Sequence, residues 1–262
     1  YWHLDEWHVL KSFYPVDQVI EHIFAADHVI VTNERLAFEV QAINKNVTII
    51  PNALPFDNDQ FINIKSNDDE INDKIRFVYA GGVTHEKDVM ILNGPLKRVA
   101  GDCHLSKLVH MNLCGYSDGN EQSKMIWHRM VHDFTAGLKL SNHIRKSLPV
   151  ESYMNFYNYG DVAIVPLIES KFNGMKSNLK VLEAACKFMP VLASGVDPYK
   201  DCPFVVQVKK QSDWYYKIKL LATSESYRAD MGLANGNWAR EHHDLTKWNK
   251  VRKQVFDAVV NL

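Results

Sequence analysis

Apolar positions along the chain follow two rhythms that take turns. In "VDQVIEHIFAA" (16–26) they recur at helical spacing, and in "DHVIVT" (27–32) they form a short β-branched block. "NERLAFEVQAI" (33–43) returns to helical spacing, and "NVTIIPN" (46–52) is a second β-branched block closed by proline. Short β-branched blocks alternating with amphipathic segments predict parallel strands joined by helices. Residues 52–74, rich in Asn and Asp, break the rhythm and read as a connection. It then restarts with "IRFVYAGG" (75–82), a strand that runs into two glycines, and a helical segment over 84–100 interrupted near Gly94-Pro95. "KLVHMNLCG" (107–115), "DVAIVPL" (161–167), "PVLAS" (190–194) and "PFVVQVK" (203–209) read as strands. "ESYMNFYNYG" (151–160) reads as an aromatic helix, as do 212–224 and the chain from Tyr227 onward. The expected organisation is the tail of one α/β unit over 1–60 and a linker over 61–74. A complete Rossmann-like domain over 75–262 follows, a parallel sheet with helices on both faces.

Composition narrows the class of partner. The 262 residues carry 30 Lys+Arg against 31 Asp+Glu, so net charge points to neither nucleic acid nor an acidic membrane. No apolar run approaches the ~20 residues of a membrane span, which leaves peripheral contact as the membrane association to expect. Cys103, Cys114, Cys186 and Cys202 show no C-x-x-C spacing. Cys114 ends an apolar run and Cys186 sits in a helical pattern, so both read as buried thiols in a reducing, cytoplasmic setting.

Two stretches carry candidate chemistry. "YAGGVTHEKD" (79–88) is a strand entering a Gly-Gly turn before a helix, where a backbone can approach a ligand at the carboxyl edge of a sheet. Lys87 is then placed to reach a phosphate; the plain alternative is a tight turn with a solvated lysine. Neither the G-x-G-x-x-G nor the P-loop pattern is present. "KFNGMKSNLKVLEAACKFMPVLAS" (171–194) gathers Lys176, Ser177, Asn178 and Lys180 where a helix begins. Unpaired N–H groups and the positive dipole end make such a start a natural anion site. Ser177 and Asn178 are also ordinary capping types, and Lys180 with Glu183 could form a surface ion pair. The flanking apolar sequence argues that Glu183 is enclosed, where a carboxylate can grip sugar hydroxyls.

These stretches, taken with "ADHVIVTNERLAFEV" and "NVTIIPNALPFDNDQF", resemble two-domain GT-B glycosyltransferases of the family 4 type. The resemblance covers most of the chain and implies transfer of a sugar from a UDP-, GDP- or ADP-linked donor to a glycan or other hydroxyl acceptor. It places Gly81 and Gly82 beside the donor diphosphate, with Lys87 as a phosphate contact. Ser177, Asn178 and Leu179 fall at the diphosphate-holding helix start, with Lys176 and Lys180 sharing the charge work. Glu183 falls at the second Glu of the family's Glu-x7-Glu motif, on the donor ribose. Met175 stands where the first Glu belongs. Leu148 and Pro149 would lie near the nucleotide base. No cofactor or metal is implied. Because only about sixty residues precede the linker, the resemblance implies a whole donor domain with a remnant of its partner. A non-catalytic nucleotide-sugar module and a GT-B sugar-nucleotide epimerase are the alternative functions.

Other residues read more plainly. His3, Asp5, Glu6 and His8 invite a metal reading, but their histidines lack the i, i+4 spacing of H-E-x-x-H, and a terminal polar loop is the simpler account. His242 and His243 read as solvated helix residues, and Trp214, Trp238 and Trp248 as packing anchors.

Overall fold

A computed structural model describes residues 16–64, 71, 73–117, 119–135 and 140–260. The His3–His8 cluster, residues 65–70 and residue 72 lie outside the described residues. The strands are β1 (Val29–Val31), β2 (Val47–Ile49), β3 (Ile75–Ala80), β4 (Val109–Tyr116), β5 (Ser141–Lys146), β6 (Val162–Val165), β7 (Val191–Ser194) and β8 (Val205–Val208). β1 and β2 form a parallel pair, packed through Val31, Ala37 and Val40 on the helix Glu34–Gln41. The others form one parallel sheet of order β5-β4-β3-β6-β7-β8.

Period-two alternation explains how that sheet is covered on both faces. In β3, Phe77 and Tyr79 enter one core while Val78 enters the other; in β6, Val162 and Ile164 oppose Ala163 and Val165. The first core is filled from helices Glu86–Met90, Asn93–Gly101, Glu121–Thr135 and Asp213–Thr223, with Leu96, Trp127 and Ile218 fully buried. The second takes Val181, Leu182 and Ala185 of the helix Leu179–Cys186. The helix Glu225–His242 packs outside that one, where Gly232 and Gly236 admit the Phe188 carbonyl and ring at distances no side chain would allow.

Several details refine the sequence reading. The helix after β3 breaks at Ile91–Leu92, just before Gly94-Pro95, so Pro95 sits in the first turn of the next helix, where its missing N–H costs little. The aromatic segment forms a 3₁₀ helix, Tyr153–Tyr159, and not an α-helix; its three-residue turn brings Met154 and Tyr157 to one buried edge. β5 was not visible in the sequence because "SNHIRK" is a polar edge strand with no apolar block. The start of the Asn/Asp-rich stretch is packed. Leu54 and Phe56 are buried, Leu54 bridges to Asp244, and the buried Lys187 amine donates to the carbonyls of Gln60 and Ile62.

His110, fully buried in β4, shares a hydrogen bond with Ser141 Oγ (2.8 Å), and its ring meets His143 edge-on. Burial, and then His143, pull its pKa down to about 4. The unfolded chain therefore takes up a proton at the ordinary value near 6.5 while the native chain does not. The His110 contribution to stability is expected to be level above about pH 6.5, to fall as pH drops towards about 4, and to level off below it. The loss should be roughly 3 kcal/mol across that window. Urea unfolding at several pH values measures it, and His110→Phe should flatten the slope; an unchanged slope removes His110 as its source.

Candidate functional site

Counted from its own first strand, the six-stranded sheet has order 3-2-1-4-5-6, so chain direction across it reverses between β3 and β6. Loops leaving the carboxyl ends of these two strands must diverge, and the crevice between them is where open α/β sheets bind ligands. A cleft of about 480 Å³ lies there.

Its floor is the turn after β3. The Gly81 N–H donates to the Cys114 carbonyl (3.2 Å), and a Cβ on Gly81 would lie 2.4 Å from the Tyr79 hydroxyl. Gly82 differs: its backbone is extended (φ −91°, ψ 178°), and a Cβ there would meet nothing within 4 Å. Gly81 is thus required by packing, whereas Gly82 keeps the cleft open.

Facing the turn is the start of the helix Leu179–Cys186. Asn178 occupies its N-cap position but makes no capping hydrogen bond through its side chain. Instead Asn178 Nδ2 points to Cys202 Sγ (3.7 Å), and Ser177 Oγ accepts from Asn52 Nδ2 (2.6 Å). Simple capping does not account for these residues. Lys180 Nζ donates to the Ala80 carbonyl at the end of β3 and lies 5.3 Å from the centre of the Tyr79 ring. Lys176 lies 5.2 Å from the centre of the Phe172 ring. Burial draws both amines below their ordinary pKa; Asp88 opposes this for both, and Glu183 does so for Lys180. Such partly desolvated cations gain most from an arriving anion.

Glu183 is buried, one turn inside the helix. Its Oε1 accepts from the Tyr153 hydroxyl (2.7 Å) and its Oε2 from the Tyr157 hydroxyl (2.8 Å). The surface ion pair with Lys180 gives way to this clamp. Burial, then the Glu183 charge, hold both phenols well above their usual pKa, so they remain donors.

Gly81, Gly82, Leu148, Lys176, Ser177, Leu179, Lys180 and Glu183 all line the cleft. Lys87 is exposed and outside the lining, as is Pro149. Asn178 opens instead on a neighbouring hollow of about 360 Å³, shared with Asn33, Arg35 and Pro51. Met175, in place of an acidic residue, gives its carbonyl to Asn33 Nδ2 (2.8 Å), while Asn33 Oδ1 caps the helix Glu34–Gln41. The β1–β2 unit thereby holds the loop that leads into the Leu179 helix. Three features were not singled out from sequence: His85, Asp88 and the tyrosine pair. His85 lines the cleft, its Nδ1 2.7 Å from the buried Asp88 carboxylate. Spacing of i, i+3 on one helical turn was the available signal. His243 also departs from expectation: it is buried, its Nδ1 2.8 Å from the Asn52 carbonyl. Among the described residues no cluster of three or more His, Cys, Asp or Glu is gathered as a metal site would need. Nor is any helix among them long and apolar enough to cross a membrane.

No family model matches the chain, and no curated protein matches its sequence. Solved structures do match. One is α,α-trehalose 6-phosphate synthase from Burkholderia multivorans (TM-score 0.70, 12% identity), covering 97% of this chain and 64% of that one. Another is sucrose-phosphate synthase from Thermosynechococcus elongatus (TM-score 0.66, 14% identity), covering 95% of this chain and 66% of that one. A third is HepE from Anabaena in complex with UDP-glucose (TM-score 0.68, 12% identity), covering 96% of this chain and 69% of that one. These neighbours are GT-B glycosyltransferases, and the Rossmann-like parallel sheet of this chain is theirs in fold. The chain spans 64% of the length of the first of them.

Proposed function

We propose that this chain is the donor-binding part of a glycosyltransferase of the GT-B kind, close to family 4, which moves a sugar from a nucleotide sugar to an acceptor hydroxyl. One observation carries the reading. The crevice at the strand-order reversal is closed below by glycines and faced by an uncapped helix start with two partly buried lysines. The donor diphosphate lies across the Gly81–Gly82 turn, against the Leu179 helix start and between Lys176 and Lys180. These groups are fixed before the ligand arrives, so they stabilise charge developing on the departing nucleoside diphosphate without reorganising. Glu183, gripped by Tyr153 and Tyr157, turns its remaining lone pairs to the ribose, and Leu148 borders the base. The acceptor enters from the side of the β1–β2 unit.

Gly82→Val tests the reading with the fold left intact. Its extended backbone suits valine and its Cβ meets open space, so stability should stay within about 0.5 kcal/mol. The branched side chain projects into the cleft, and calorimetric affinity for the preferred one of UDP, GDP and ADP should fall at least ~100-fold. A folded variant that binds nucleotide like the parent would place the ligand elsewhere.

A further inference from the structure

We infer that His85 is an anion-contacting group of the cleft whose imidazole takes up a proton when the diphosphate binds, so that donor capture is linked to pH. The inference rests on the nucleotide-sugar reading above and adds a residue and a regulation to it.

The geometry is specific. Asp88 is buried, and its two oxygens have separate tasks. Oδ1 accepts from the Ile168 backbone N–H (2.8 Å) and from Asn173 Nδ2 (3.4 Å), which fixes the carboxylate to the loop after β6. Oδ2 lies 2.7 Å from His85 Nδ1. A carboxylate accepts only, so Nδ1 carries the hydrogen and Nε2 is the basic nitrogen. Nε2 hydrogen-bonds to no described residue, and His85 lines the cleft. The loops from both sides of the strand-order reversal therefore cooperate to aim one imidazole nitrogen into the crevice.

Charged groups around the ring set the direction of the linkage. Lys176 and Lys180 face it from the loop and helix across the cleft, and Asp88 from its own turn. The Tyr199 phenol, kept neutral by burial, lines the same cleft. Glu86 next in the chain is engaged with Arg129 (2.7 Å), and Lys87 is exposed. Burial lowers the His85 pKa and the two lysines lower it further, against the pull of Asp88. A diphosphate between the lysines cancels their field and adds negative charge beside Nε2, which raises the pKa. Affinity is then greatest below the free-state pKa, declines as pH rises between the free and bound values, and levels off above the bound one.

The test is calorimetric titration of the chain with UDP-glucose, GDP-mannose and ADP-glucose at about pH 6 and about pH 8.5, in buffers of contrasting ionisation enthalpy. Nucleotide sugars are used because, unlike free diphosphates, their phosphates do not titrate near neutrality. The parent should bind one of them about fivefold to tenfold more tightly at the lower pH, with net proton uptake. His85→Gln should show no uptake at about pH 6 and a much smaller difference between the two pH values, what remains belonging to Lys176 and Lys180. Equal pH dependence and equal uptake in parent and variant would overturn the role of His85 while leaving the nucleotide site standing. Failure of the folded parent to bind any of the three would overturn the nucleotide-sugar reading, and this inference with it.

Discussion

Glu183→Ala is expected to cost about 2–4 kcal/mol of stability and, separately, about ten- to hundredfold in nucleotide affinity. The stability loss follows from the two phenols. Tyr157 is 2% exposed and has the Glu183 carboxylate as its acceptor, so its hydroxyl would be left buried without a partner. Such a group costs about 1–3 kcal/mol. Tyr153 borders the cleft, where water can replace part of what it loses, so its share is smaller. The affinity loss follows from acceptor capacity. Each carboxylate oxygen has two lone pairs and gives one to a tyrosine, so the proposed contact with ribose hydroxyls uses what remains. Two further variants separate the effects. Tyr157→Phe should recover part of the stability lost in Glu183→Ala, because no hydroxyl is then stranded. Glu183→Gln keeps the volume and one acceptor, so urea unfolding should shift by less than about 1 kcal/mol while nucleotide binding stays weakened. A glutamine variant with parental affinity would show that the carboxylate serves the fold alone.

The clamp also shows where the sequence was legible and where it stopped. Enclosure of Glu183 could be read from "VLEAAC", because apolar residues flank it at every neighbouring position. Its partners could not, since Tyr153 and Tyr157 come from a segment 30 and 26 residues away, and no local period encodes that distance. The same holds for Asn33 and Asn52, which reach the loop before the Leu179 helix across 142 and 125 residues. Within single turns, helical geometry sorts residues that the sequence had grouped together. His85 and Asp88 are three apart and hydrogen-bonded, His85 lining the cleft and Asp88 buried behind it, whereas Lys87 is directed to solvent. The Gly-Gly turn was legible as a whole because glycine in that setting signals close backbone approach. What each glycine does depends on what stands beside it: the Tyr79 ring and the end of β4 beside Gly81, open space beside Gly82.

That dependence makes Gly115→Ala the second large effect, and it acts on a residue outside every motif. Gly115 ends the regular part of β4 with φ +107°, a region that L side chains rarely occupy. A Cβ there would lie 2.3 Å from the Gly81 carbonyl oxygen and 3.2 Å from its carbon. Neither atom belongs to a flexible side chain, so relief requires β3 and β4 to separate just where Gly81 N–H meets the Cys114 carbonyl. Unfavourable φ and overpacking each cost about 1–3 kcal/mol, and their sum should be about 3 kcal/mol or more. Gly119→Ala is the matched control four residues on, because its Cβ would meet only Ser117 Oγ at 3.5 Å, an ordinary contact. The expected result is a urea midpoint lowered sharply in the first variant and barely in the second. Nucleotide affinity should fall with the first as well, since the displaced Gly81 carbonyl carries the floor of the cleft with it. The contrast with Gly82→Val is then complete: one substitution destroys the site by moving its backbone, the other by filling it. A Gly115→Ala chain that unfolds at the parental urea concentration would mean that the two turns are not in the contact that shapes the cleft.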